Sequence, residues 1–260
     1  MNIALYGYGK MGKAIEQVAL ARGHNVPLKV SFANAGTSPQ GVDVAIEFSR
    51  PEEALSNIEL CLKHGVPIVV GTTGWYDQLS TVQALVKAHS GSLLWASNFS
   101  IGVNLFFRLN KYLAGLMDAQ PGYTAHMDEI HHIHKRDAPS GTAITLARDI
   151  DLKHHGYSGW ELKEELPVGR SQAAVGPILR QAQDDNVPIA PAPLPIHSQR
   201  IGEVPGTHGI TWTSAEDRIT ITHEAFGRQG FATGAVVAAE WLRGRNGLYT
   251  MDDVLSHSPA

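Results

Sequence analysis

The sequence predicts an α/β fold in which a parallel, doubly wound sheet is interrupted by an inserted α+β domain. Three observations support this fold class. Short apolar runs alternate with amphipathic segments up to Gly102, a glycine-rich turn follows the first run, and a less regular region then begins. Because strand–helix–strand alternation requires crossover connections, which join parallel strands, the first region predicts a parallel sheet.

Five apolar runs in the first region have the length of buried strands. They are residues 3–6, 28–32, 42–48, 67–70 and 93–95. Apolar residues at helical spacing predict the intervening helices, which are residues 13–22, 51–64 and 76–89. Since such sheets bind ligands at the carboxyl ends of their strands, the loops after the strands are the candidate binding segments.

The region after Gly102 predicts a separate domain. It contains helical patterns over residues 103–117 and from Ser140 onward, and then a polar stretch, residues 151–186, without a recognisable motif. Residues 187–195 contain four prolines, which predicts an extended surface connection or an edge strand, because proline cannot donate to a β-ladder.

The last part of the chain predicts an antiparallel pair and a return to the first domain. The pair is expected at residues 209–213 and 218–223, which are β-rich and flank a turn-like segment. An Ala-rich helix is expected over residues 231–242. We therefore predict one domain formed by residues 1–102 and 228–260, and an inserted domain formed by residues 103–227.

Composition restricts the classes of ligand. The chain has 260 residues, a formal net charge of −4 and scattered Lys and Arg residues, so no surface for nucleic acid or an anionic membrane is expected. Its longest apolar runs are far shorter than the ~20 residues of a membrane-spanning helix. The single cysteine, Cys61, excludes an internal disulfide and a cysteine-based metal site. These features favour a cytoplasmic protein that acts on small molecules.

A glycine-rich turn directly follows the first predicted strand. It has the pattern G-x-G-x-x-G and consists of Gly7, Tyr8, Gly9, Lys10, Met11 and Gly12. Gly7 permits a tight turn, Gly9 lets the backbone approach a pyrophosphate, and Gly12 allows close packing of helix and strand. The free N–H groups and dipole of the helix N-terminus would hold the pyrophosphate. A Rossmann-like dinucleotide site is therefore predicted, and the alternative is a glycine-rich turn that binds nothing.

The end of the second predicted strand leaves the choice of nucleotide open. A strict NAD site has Asp or Glu about 20 residues after the glycines, where it bonds the ribose hydroxyls. This chain has Phe32, Ala33 and Asn34 there. Asn34 could bond a ribose, and Lys10 or Lys13 could attract a 2′-phosphate, so NADH and NADPH are both candidates.

Two further loops lie at predicted strand ends and could bracket the nicotinamide. They are formed by Gly71, Thr72 and Thr73 and by Ala96, Ser97, Asn98 and Phe99. Turns require small polar residues in any case, so neither loop alone identifies a site.

The histidine-rich segment at residues 129–135 is the strongest candidate for chemistry. If this segment is extended, His131 and Lys135 share one face, which would place an imidazole beside an ammonium. Such a pair can donate protons to a small acidic ligand as a hydride arrives. A predicted helix begins just downstream, where the N–H groups of Gly141 and Thr142 could hold a carboxylate.

Two other interpretations of the histidine-rich segment stay open. Histidines are common metal ligands, but the segment lacks a His pair at helical spacing, a neighbouring cysteine and a familiar zinc spacing, so we expect no metal site. The segment could also be a charged, solvated loop.

The same segment resembles the signature of the 4-hydroxy-tetrahydrodipicolinate reductase family. That signature reads E-x-H-H-x-x-K-x-D-x-P-S-G-T-A, and residues 129–143 fit every specified position. The resemblance continues in order along most of the chain. It includes residues 7–12, 44–49, 71–74, 96–104, 200–202, 206–208, 221–223 and 228–232.

The resemblance implies a role for each matching residue. His131 would be the catalytic proton donor or acceptor, Lys135 a second proton donor and His132 a substrate contact. The amides of Gly141 and Thr142 would hold a substrate carboxylate. The nucleotide would be held by residues 7–12, 71–73 and 96–99 and by Arg228.

The resemblance also implies an activity, which is reduction of 4-hydroxy-tetrahydrodipicolinate by NADH or NADPH in lysine and diaminopimelate biosynthesis. The first domain would bind the dinucleotide, and the inserted domain would bind the dicarboxylate substrate and form a homotetramer. Three alternatives stay open: a related reductase of another small imino or keto acid, a dinucleotide sensor without activity, and a metal-binding protein.

Overall fold

The computed structural model describes residues 1–163 and 190–256, and the chain divides into two compact units. The first unit combines Met1–Asn104 with Arg228–Ala260, and the second unit is Leu105–Gly227. Most of the motif-free stretch, residues 151–186, lies outside the described ranges. No helix in the described part of the chain has both the length and the hydropathy that a membrane span requires.

Strands and helices alternate in the first unit, and every strand and helix predicted there is present. The strands of the described ranges are β1 (Asn2–Tyr6), β2 (Asn25–Val30), β3 (Val44–Glu47), β4 (Ile68–Val70), β5 (Ser92–Trp95), β6 (Thr124–His131), β7 (Tyr157–Lys163), β8 (Ala192–Arg200), β9 (Thr207–Thr213), β10 (Arg218–Glu224) and β11 (Gly247–Tyr249). The helices are α1 (Lys10–Ala21), α2 (Pro51–Lys63), α3 (Leu79–Ala88), α4 (Ile101–Met117), α5 (Gly141–Lys153), α6 (Gln229–Leu242) and α7 (Met251–Ser256).

The first unit contains a sheet with the strand order β11-β5-β4-β3-β1-β2. All of these strand pairs are parallel, which confirms the predicted doubly wound, Rossmann-like class. The chain passes from β1 to β2 on one side and then to β3 on the other side of β1. The topological switch therefore lies between β1 and β3, which is where sheets of this class bind ligands.

Side chains of the parallel sheet are buried on both faces, which explains why its strands appear as continuous apolar runs. Along β1, Ile3 and Leu5 pack in a core with residues of α1 and α6. Ala4 and Tyr6 pack in a second core with residues of α2 and α3. Helices therefore cover both faces of the sheet, as the alternation predicted.

The second unit contains a mixed sheet with the order β10-β9-β6-β8-β7. The predicted pair of β9 and β10 is confirmed as antiparallel, and Ser214 N donates to Asp217 O at 2.9 Å in the turn between them. Strand β6 lies at the centre, antiparallel to β9 and parallel to β8. Residues of α4 and α5, among them Phe106 and Leu146, pack in a core with the buried side chains of this sheet.

The described end of the proline-rich segment forms the start of strand β8, which is interior to the sheet only from Ile196 onward. Residues 192–195 pair with β7 alone, so the edge-strand prediction is confirmed for them, although β8 as a whole is not an edge strand. Strand β8 pairs with β7 on one side and with β6 on the other. Pro193 and Pro195 both precede Ile196, where the pairing with β6 begins. Neither proline therefore has to donate to β6, and the strand tolerates them near its start. Residues 187–189 of the predicted segment lie outside the described ranges.

Candidate active site

The glycine-rich turn lies at the carboxyl end of β1 and leads into α1. Gly7 adopts a φ of +94°, and a Cβ atom there would lie 2.1 Å from the carbonyl oxygen of Phe48. A Cβ atom at Gly12 would lie 2.4 Å from the carbonyl oxygen of Gly7, whereas one at Gly9 would meet no atom within 4 Å. The fold itself therefore requires Gly7 and Gly12, and Gly9 leaves open space at the start of the helix.

A cleft of about 890 Å³ lies beside this turn, among the loops that follow β1, β2 and β3. Its lining includes Gly7, Tyr8, Gly9, Phe32, Ser49 and Arg50. The volume is within the range of small-molecule and cofactor sites. Of the other residues predicted for this end of the nucleotide, Lys10, Met11, Gly12 and Asn34 do not line the cleft.

Asn34, a predicted ribose contact, is engaged with the backbone around it. Its Oδ1 accepts from Ser31 N at 2.7 Å, and its Nδ2 donates to Lys29 O at 3.0 Å. With the Ser31 side chain, these bonds form a capping box for the short 3-10 helix Phe32–Asn34. The structure thus gives the amide of Asn34 a structural role, and a ribose contact by this residue stays a prediction.

Two cationic side chains near the cleft are each paired with an acid. Lys29 binds Glu16, and Arg50 binds Glu53 at 2.6 Å. The Arg50 guanidinium also lies 5.6 Å from the centre of the exposed Phe32 ring. Arg50 was not singled out from the sequence, yet it offers charge for a phosphate and a planar face for an aromatic base.

The loops after β3, β4 and β5 are joined by side-chain contacts. Ser49 N donates to Thr72 Oγ1 at 2.9 Å, which links the loops after β3 and β4. The rings of Phe48 and Phe99 have centroids 5.7 Å apart, which links the loops after β3 and β5. A Cβ atom at Gly71 would lie 2.1 Å from the Phe48 ring. The structure thus brings the two predicted loops together beside the glycine-rich turn.

Glu47, at the end of β3, is a fully buried carboxyl group next to these loops. Its Oε1 accepts from Ser49 N at 3.0 Å and from the Ser49 hydroxyl, whereas Oε2 has no partner among the described residues. Burial raises the pKa of the Glu47 carboxyl above its ordinary value, although hydrogen bonds from Ser49 and Thr72 oppose the shift. The sequence interpretation did not include this residue.

In the second unit, strand β6 ends at His131, so the prediction of an extended segment over residues 129–135 was wrong beyond that point. Lys135 N donates to His132 O at 3.1 Å and closes a turn. The pairing of β6 with β8 ends at His131, and its pairing with β9 ends at Ile130. Beyond that residue an extended chain would have no neighbouring strand for its backbone hydrogen bonds, which favours a turn.

The register of β6 brings three polar side chains together on the buried face of the sheet. Glu129 lies opposite Ser198 of β8 and opposite His208 of β9. The Nε2 atom of His131 is 3.3 Å from Nε2 of His208. Glu129 Oε2 is 3.6 Å from His131 Nε2 and 3.5 Å from His208 Nε2. Glu129, His131 and His208 are all buried, and we call them the Glu–His–His cluster.

Glu129 is the central acceptor of the cluster. Ser140 N donates to both of its carboxylate oxygens at 3.0 and 3.1 Å, the Ser198 hydroxyl donates at 2.6 Å, and Arg200 lies 3.5 Å away. Burial alone would raise the pKa of the Glu129 carboxyl. Contacts with both imidazoles and hydrogen bonds from both serines outweigh burial and hold this pKa well below its ordinary value. Glu129 is therefore a carboxylate.

His208 also contacts Ser140. Ser140 Oγ lies 3.0 Å from His208 Nε2 and accepts a hydrogen bond from Ala143 N at 3.2 Å. Burial lowers the pKa of the His208 imidazole below its ordinary value, and the charges of His131 and Lys135 act in the same direction, against that of the carboxylate. His208 is therefore neutral at neutral pH.

Helix α5 begins beside the cluster with Ser140 as its N-cap. The N–H groups of Gly141 and Thr142 have no acceptor among the described residues. A Cβ atom at Gly141 would meet no atom within 4 Å. Two free amides, open space and the helix dipole are the features that bind a carboxylate at a helix N-terminus.

Lys135 and His132 lie in the turn after β6. Lys135 Nζ binds both oxygens of Asp137 at 2.8 and 2.7 Å, and Arg200 Nε donates to Lys135 O at 3.2 Å. His132 Nδ1 is buried and has no hydrogen-bond partner within the described ranges. Lys135 therefore pairs with Asp137, and the His131 imidazole pairs with His208 of β9. The predicted pair of Lys135 with His131 is not what these contacts form.

The Glu–His–His cluster also meets the distance requirement for a metal site, since its ligand atoms lie within 4.8 Å of one another. Each of these atoms already takes part in a hydrogen bond or ion pair, and Arg200 stands 3.5 Å from the carboxylate. A metal cation would have to displace these contacts and approach a guanidinium. The arrangement favours proton chemistry, and the expected absence of a metal stays a prediction.

Sequence interpretation assigned no role to several residues around His131. They are Glu129, Ser198, Arg200 and His208. All of them except Ser198 fell within segments that matched the family, but their contacts depend on the register of three strands. Alternation along a predicted β6 could have placed Glu129 and His131 on one face, because side chains two residues apart share a face.

The parallel sheet with its glycine-lined cleft and the buried imidazoles beside a free helix N-terminus define an oxidoreductase that uses a nicotinamide dinucleotide. Two family models match the chain. They are the dihydrodipicolinate reductase N-terminus over residues 1–99 and the dihydrodipicolinate reductase C-terminus over residues 102–255. The chain belongs to the dihydrodipicolinate reductase family.

Individual relatives extend this match over the whole chain. The chain is 44% identical to 4-hydroxy-tetrahydrodipicolinate reductase of Christiangramia forsetii over 258 residues, which cover 98% of both proteins. It is 35% identical to the reductase of the same name from Neisseria meningitidis over 243 residues, or 92% of this chain and 83% of that one.

A solved structure shares the fold. Dipicolinate-bound dihydrodipicolinate reductase from Paenisporosarcina sp. TG-14 matches with a TM-score of 0.69 and 22% sequence identity. The match covers 96% of this chain and 97% of that one. At this identity the likeness shows that the two proteins have the same fold.

Proposed function

We propose that the chain reduces 4-hydroxy-2,3,4,5-tetrahydrodipicolinate to 2,3,4,5-tetrahydrodipicolinate with NADH or NADPH, in lysine and diaminopimelate biosynthesis. The relatives named above support this substrate. The structural observation that carries the proposal is the position of Ser140, which joins the Glu–His–His cluster to the free amides of α5. A proton donor thereby lies beside an anion-binding helix end. In the reaction the substrate gains a hydride and a proton, and its hydroxyl leaves as water.

The first unit fits a nicotinamide dinucleotide. Gly9 leaves open space at the N-terminus of α1, whose free N–H groups favour a pyrophosphate. The adjoining cleft of about 890 Å³ can take the rest of a nucleotide. When bound there, the reduced cofactor would supply the hydride. We propose that it is held by residues 7–12, 71–73 and 96–99 and by Arg228, the N-cap residue of α6.

The same unit supports the use of both nucleotides. No acid follows β2, where Ser31 and Phe32 line the cleft, so no carboxylate repels a 2′-phosphate at that position. Arg50 lines the cleft as well and could bind the phosphate. We therefore expect NADPH to be accepted as well as NADH.

In the second unit, we propose that one substrate carboxylate binds the amides of Gly141 and Thr142. His131 would donate a proton to the substrate, and Lys135 would be a second donor. His132 would contact the substrate through its unpaired Nδ1. The Paenisporosarcina reductase was solved with dipicolinate, a planar dicarboxylate, and a ligand of this kind suits a region that also contains Arg200 and Lys135.

We further propose that the protein is cytoplasmic and assembles as a homotetramer through its second unit. Among the described residues, β7 is the last strand of the mixed sheet, and its Trp160 and Leu162 are partly exposed. Apolar side chains on an edge strand favour contact with another chain. Light scattering of the purified protein would give the number of subunits.

The assay that tests the activity follows the loss of reduced-nicotinamide absorbance when the protein meets substrate freshly made by the preceding synthase. His131→Ala should lower kcat by about 10²- to 10⁴-fold, because it removes the proton donor, and Lys135→Ala should act in the same direction. His134→Ala is the matched control, since this histidine of the same turn has an exposed side chain paired with Glu203.

The outcome of this assay separates the proposal from its alternatives. Turnover that collapses in the His131 variant and persists in the His134 variant supports the reductase. Nucleotide binding without turnover would contradict the proposal and favour a dinucleotide sensor or a reductase of another imino or keto acid.

A further inference from the structure

The two edges of the His131 ring have different surroundings. Its Nε2 lies 3.3 Å from His208 Nε2 and 3.6 Å from Glu129 Oε2. On the other edge the ring meets Gly206, where a Cβ atom would lie 2.9 Å from His131 Cε1 and 3.2 Å from Nδ1. Glycine at position 206 therefore keeps a side chain away from the Nδ1 edge, whereas the Glu–His–His cluster closes the Nε2 edge.

Hydrogen bonding within the cluster determines which imidazole donates. The Ser140 hydroxyl lies 3.0 Å from His208 Nε2 and also hydrogen bonds to the Glu129 carboxylate, which can only accept. The hydroxyl can therefore give its proton to Glu129, which leaves the lone pair of His208 Nε2 free when neutral His208 carries its proton on Nδ1. In its cationic, proton-donating form His131 carries a proton on Nε2, 3.3 Å from His208 Nε2. Two N–H groups cannot face each other at this distance, so His208 has to be the acceptor.

We propose that His208 is a positioning residue that keeps a proton on Nε2 of His131, so that His131 gives its catalytic proton from Nδ1. The inference rests on the proposed function for the role of His131 as proton donor. It adds the identity of the ring nitrogen that donates the proton and of the residue that determines the tautomer. The hydrogen bond made by one ring nitrogen determines the protonation state of the other in this way.

The proton balance of this step is simple. In the cationic ring both nitrogens carry a proton. The Nδ1–H bond breaks, its electron pair stays on Nδ1, and the proton forms a bond to the substrate. The Nε2 proton stays between His131 and the acceptors of the cluster. The neutral ring is left as a single tautomer, which takes up its next proton from water at Nδ1.

The charged and titratable groups around the His131 ring come from four segments. Glu129 lies on the same strand, Arg200 on β8, His208 on β9, and Lys135 in the turn after β6. His208 is neutral, so it acts through its hydrogen bond rather than through charge.

Two substitutions of His208 separate positioning from a purely structural role. His208→Gln can place an amide oxygen near the former Nε2, so it can still accept from His131. His208→Leu fills a similar volume without an acceptor. We expect kcat to fall by roughly 100-fold in the Leu variant, since loss of a tautomer-fixing partner can lower kcat by up to about 10⁴-fold. The Gln variant should stay within about tenfold of the wild type, and KM for the nucleotide should not change in either.

The pH dependence of kcat gives a second measurement. A loss of folded protein lowers kcat but does not shift the midpoint of its pH profile. The donor has to be cationic, so kcat falls at high pH. Loss of the acceptor destabilises the cationic ring and should move the midpoint of this fall to lower pH in His208→Leu but not in His208→Gln. An unchanged midpoint in the Leu variant would overturn the proposal.

Nuclear magnetic resonance of protein labelled with ¹⁵N-histidine tests the tautomer directly. His131→Ala identifies the signals of His131. We expect neutral His131 to carry its proton on Nε2 in the wild type and in His208→Gln, and to populate both tautomers in His208→Leu. A proton on Nδ1 in the wild type would overturn the proposal. The spectrum requires no turnover, so it decides this inference separately from the activity assay.

Discussion

Glu47 and Glu129 are both fully buried carboxyl groups, yet their surroundings shift the pKa in opposite directions. Burial raises the pKa of Glu47, and one of its oxygens lacks a partner within the described ranges. Burial acts in the same direction on Glu129, but its contacts with two imidazoles and two serines outweigh it and lower the pKa. The partners of Glu47 are neutral hydroxyl, amide and backbone groups. The kind of partner around each carboxyl, rather than burial alone, therefore decides the direction of its pKa shift.

Glu47→Gln should become more stable relative to the wild type as the pH rises. Because the folded pKa of Glu47 lies above its unfolded value, its stabilising contribution is complete below the unfolded pKa and is lost as the pH rises through the folded pKa. Glutamine keeps an acceptor for Ser49 but cannot ionise. Urea unfolding at about pH 5 and about pH 8 measures the effect.

The comparison needs a second acid as a control. Glu52→Gln removes an exposed carboxyl from the first turn of α2 and should show no such trend. If the difference in the free energy of unfolding between the wild type and Glu47→Gln were the same at both pH values, the raised pKa of Glu47 would be wrong.

At the scale of elements, Ser140 connects the start of α5 to the mixed sheet. Its N–H donates to Glu129, and its hydroxyl oxygen accepts from Ala143 N and lies beside His208. Ser140→Ala removes the cap, so we expect a loss of about 0.5–2 kcal/mol in the free energy of unfolding. Activity should fall as well, because the Glu–His–His cluster loses the hydrogen bond of the Ser140 hydroxyl. Urea unfolding and the reductase assay measure the two effects.

Thr145→Ala on the same helix is the matched control for the cap. Its half-buried side chain bonds back to Gly141 O within the helix, at 3.0 Å. This variant should change the free energy of unfolding by less than about 0.5 kcal/mol. Equal losses in the two variants would mean that the Ser140 cap does not stabilise α5.

Elements with a clear hydrophobic period could be predicted from the sequence, and the others could not. The strands and helices before Gly102 formed as expected because both faces of the parallel sheet are buried. Strand β11 and helix α7 have three and six residues, which is too short for a period to appear. The position of β8 inside its sheet depends on which strands pair from Ile196 onward, beyond the prolines that indicated an edge.

The sequence predicted which residues belong to the candidate site, but it did not predict the contacts between them. The family signature singled out His131, yet its partner His208 lies 77 residues away in the chain. Only the register of β6 with β9 brings the two imidazoles together, and sheet packing determines that register. Strand β6 ends at His131, so Lys135 lies in the following turn and pairs with Asp137 instead of sharing an extended face with His131.

At the scale of the whole molecule, the candidate nucleotide residues and the candidate substrate residues lie in different compact units. Each ligand should therefore protect its own set of amides from hydrogen exchange. NADPH alone should protect residues 7–12 and the loops after β3, β4 and β5, and dipicolinate alone should protect the first turn of α5. At 100 times its Kd, each ligand stabilises the protein that binds it by about 2.7 kcal/mol.

Gly9→Val provides the control for these exchange experiments. Gly9 has a φ of −89°, and a side chain there meets no atom of the protein, so the fold should tolerate valine. The side chain would occupy the space proposed for the pyrophosphate. Protection by NADPH should disappear in this variant, and protection by dipicolinate should persist. Dipicolinate that leaves α5 unprotected in both proteins would contradict the proposed carboxylate site.

Strand β6 links the folding of the second unit to its chemistry. Alternate residues of this strand, from Ala125 and Met127 to Glu129 and His131, face the buried side. A slip of one position would expose Met127 and, at the same time, separate Glu129 from its donors. The reacting groups therefore need no assembly step of their own, because the hydrophobic packing that selects the register also orients them. A substitution at Met127, which touches no proposed ligand, should impair turnover to the extent that it loosens this strand.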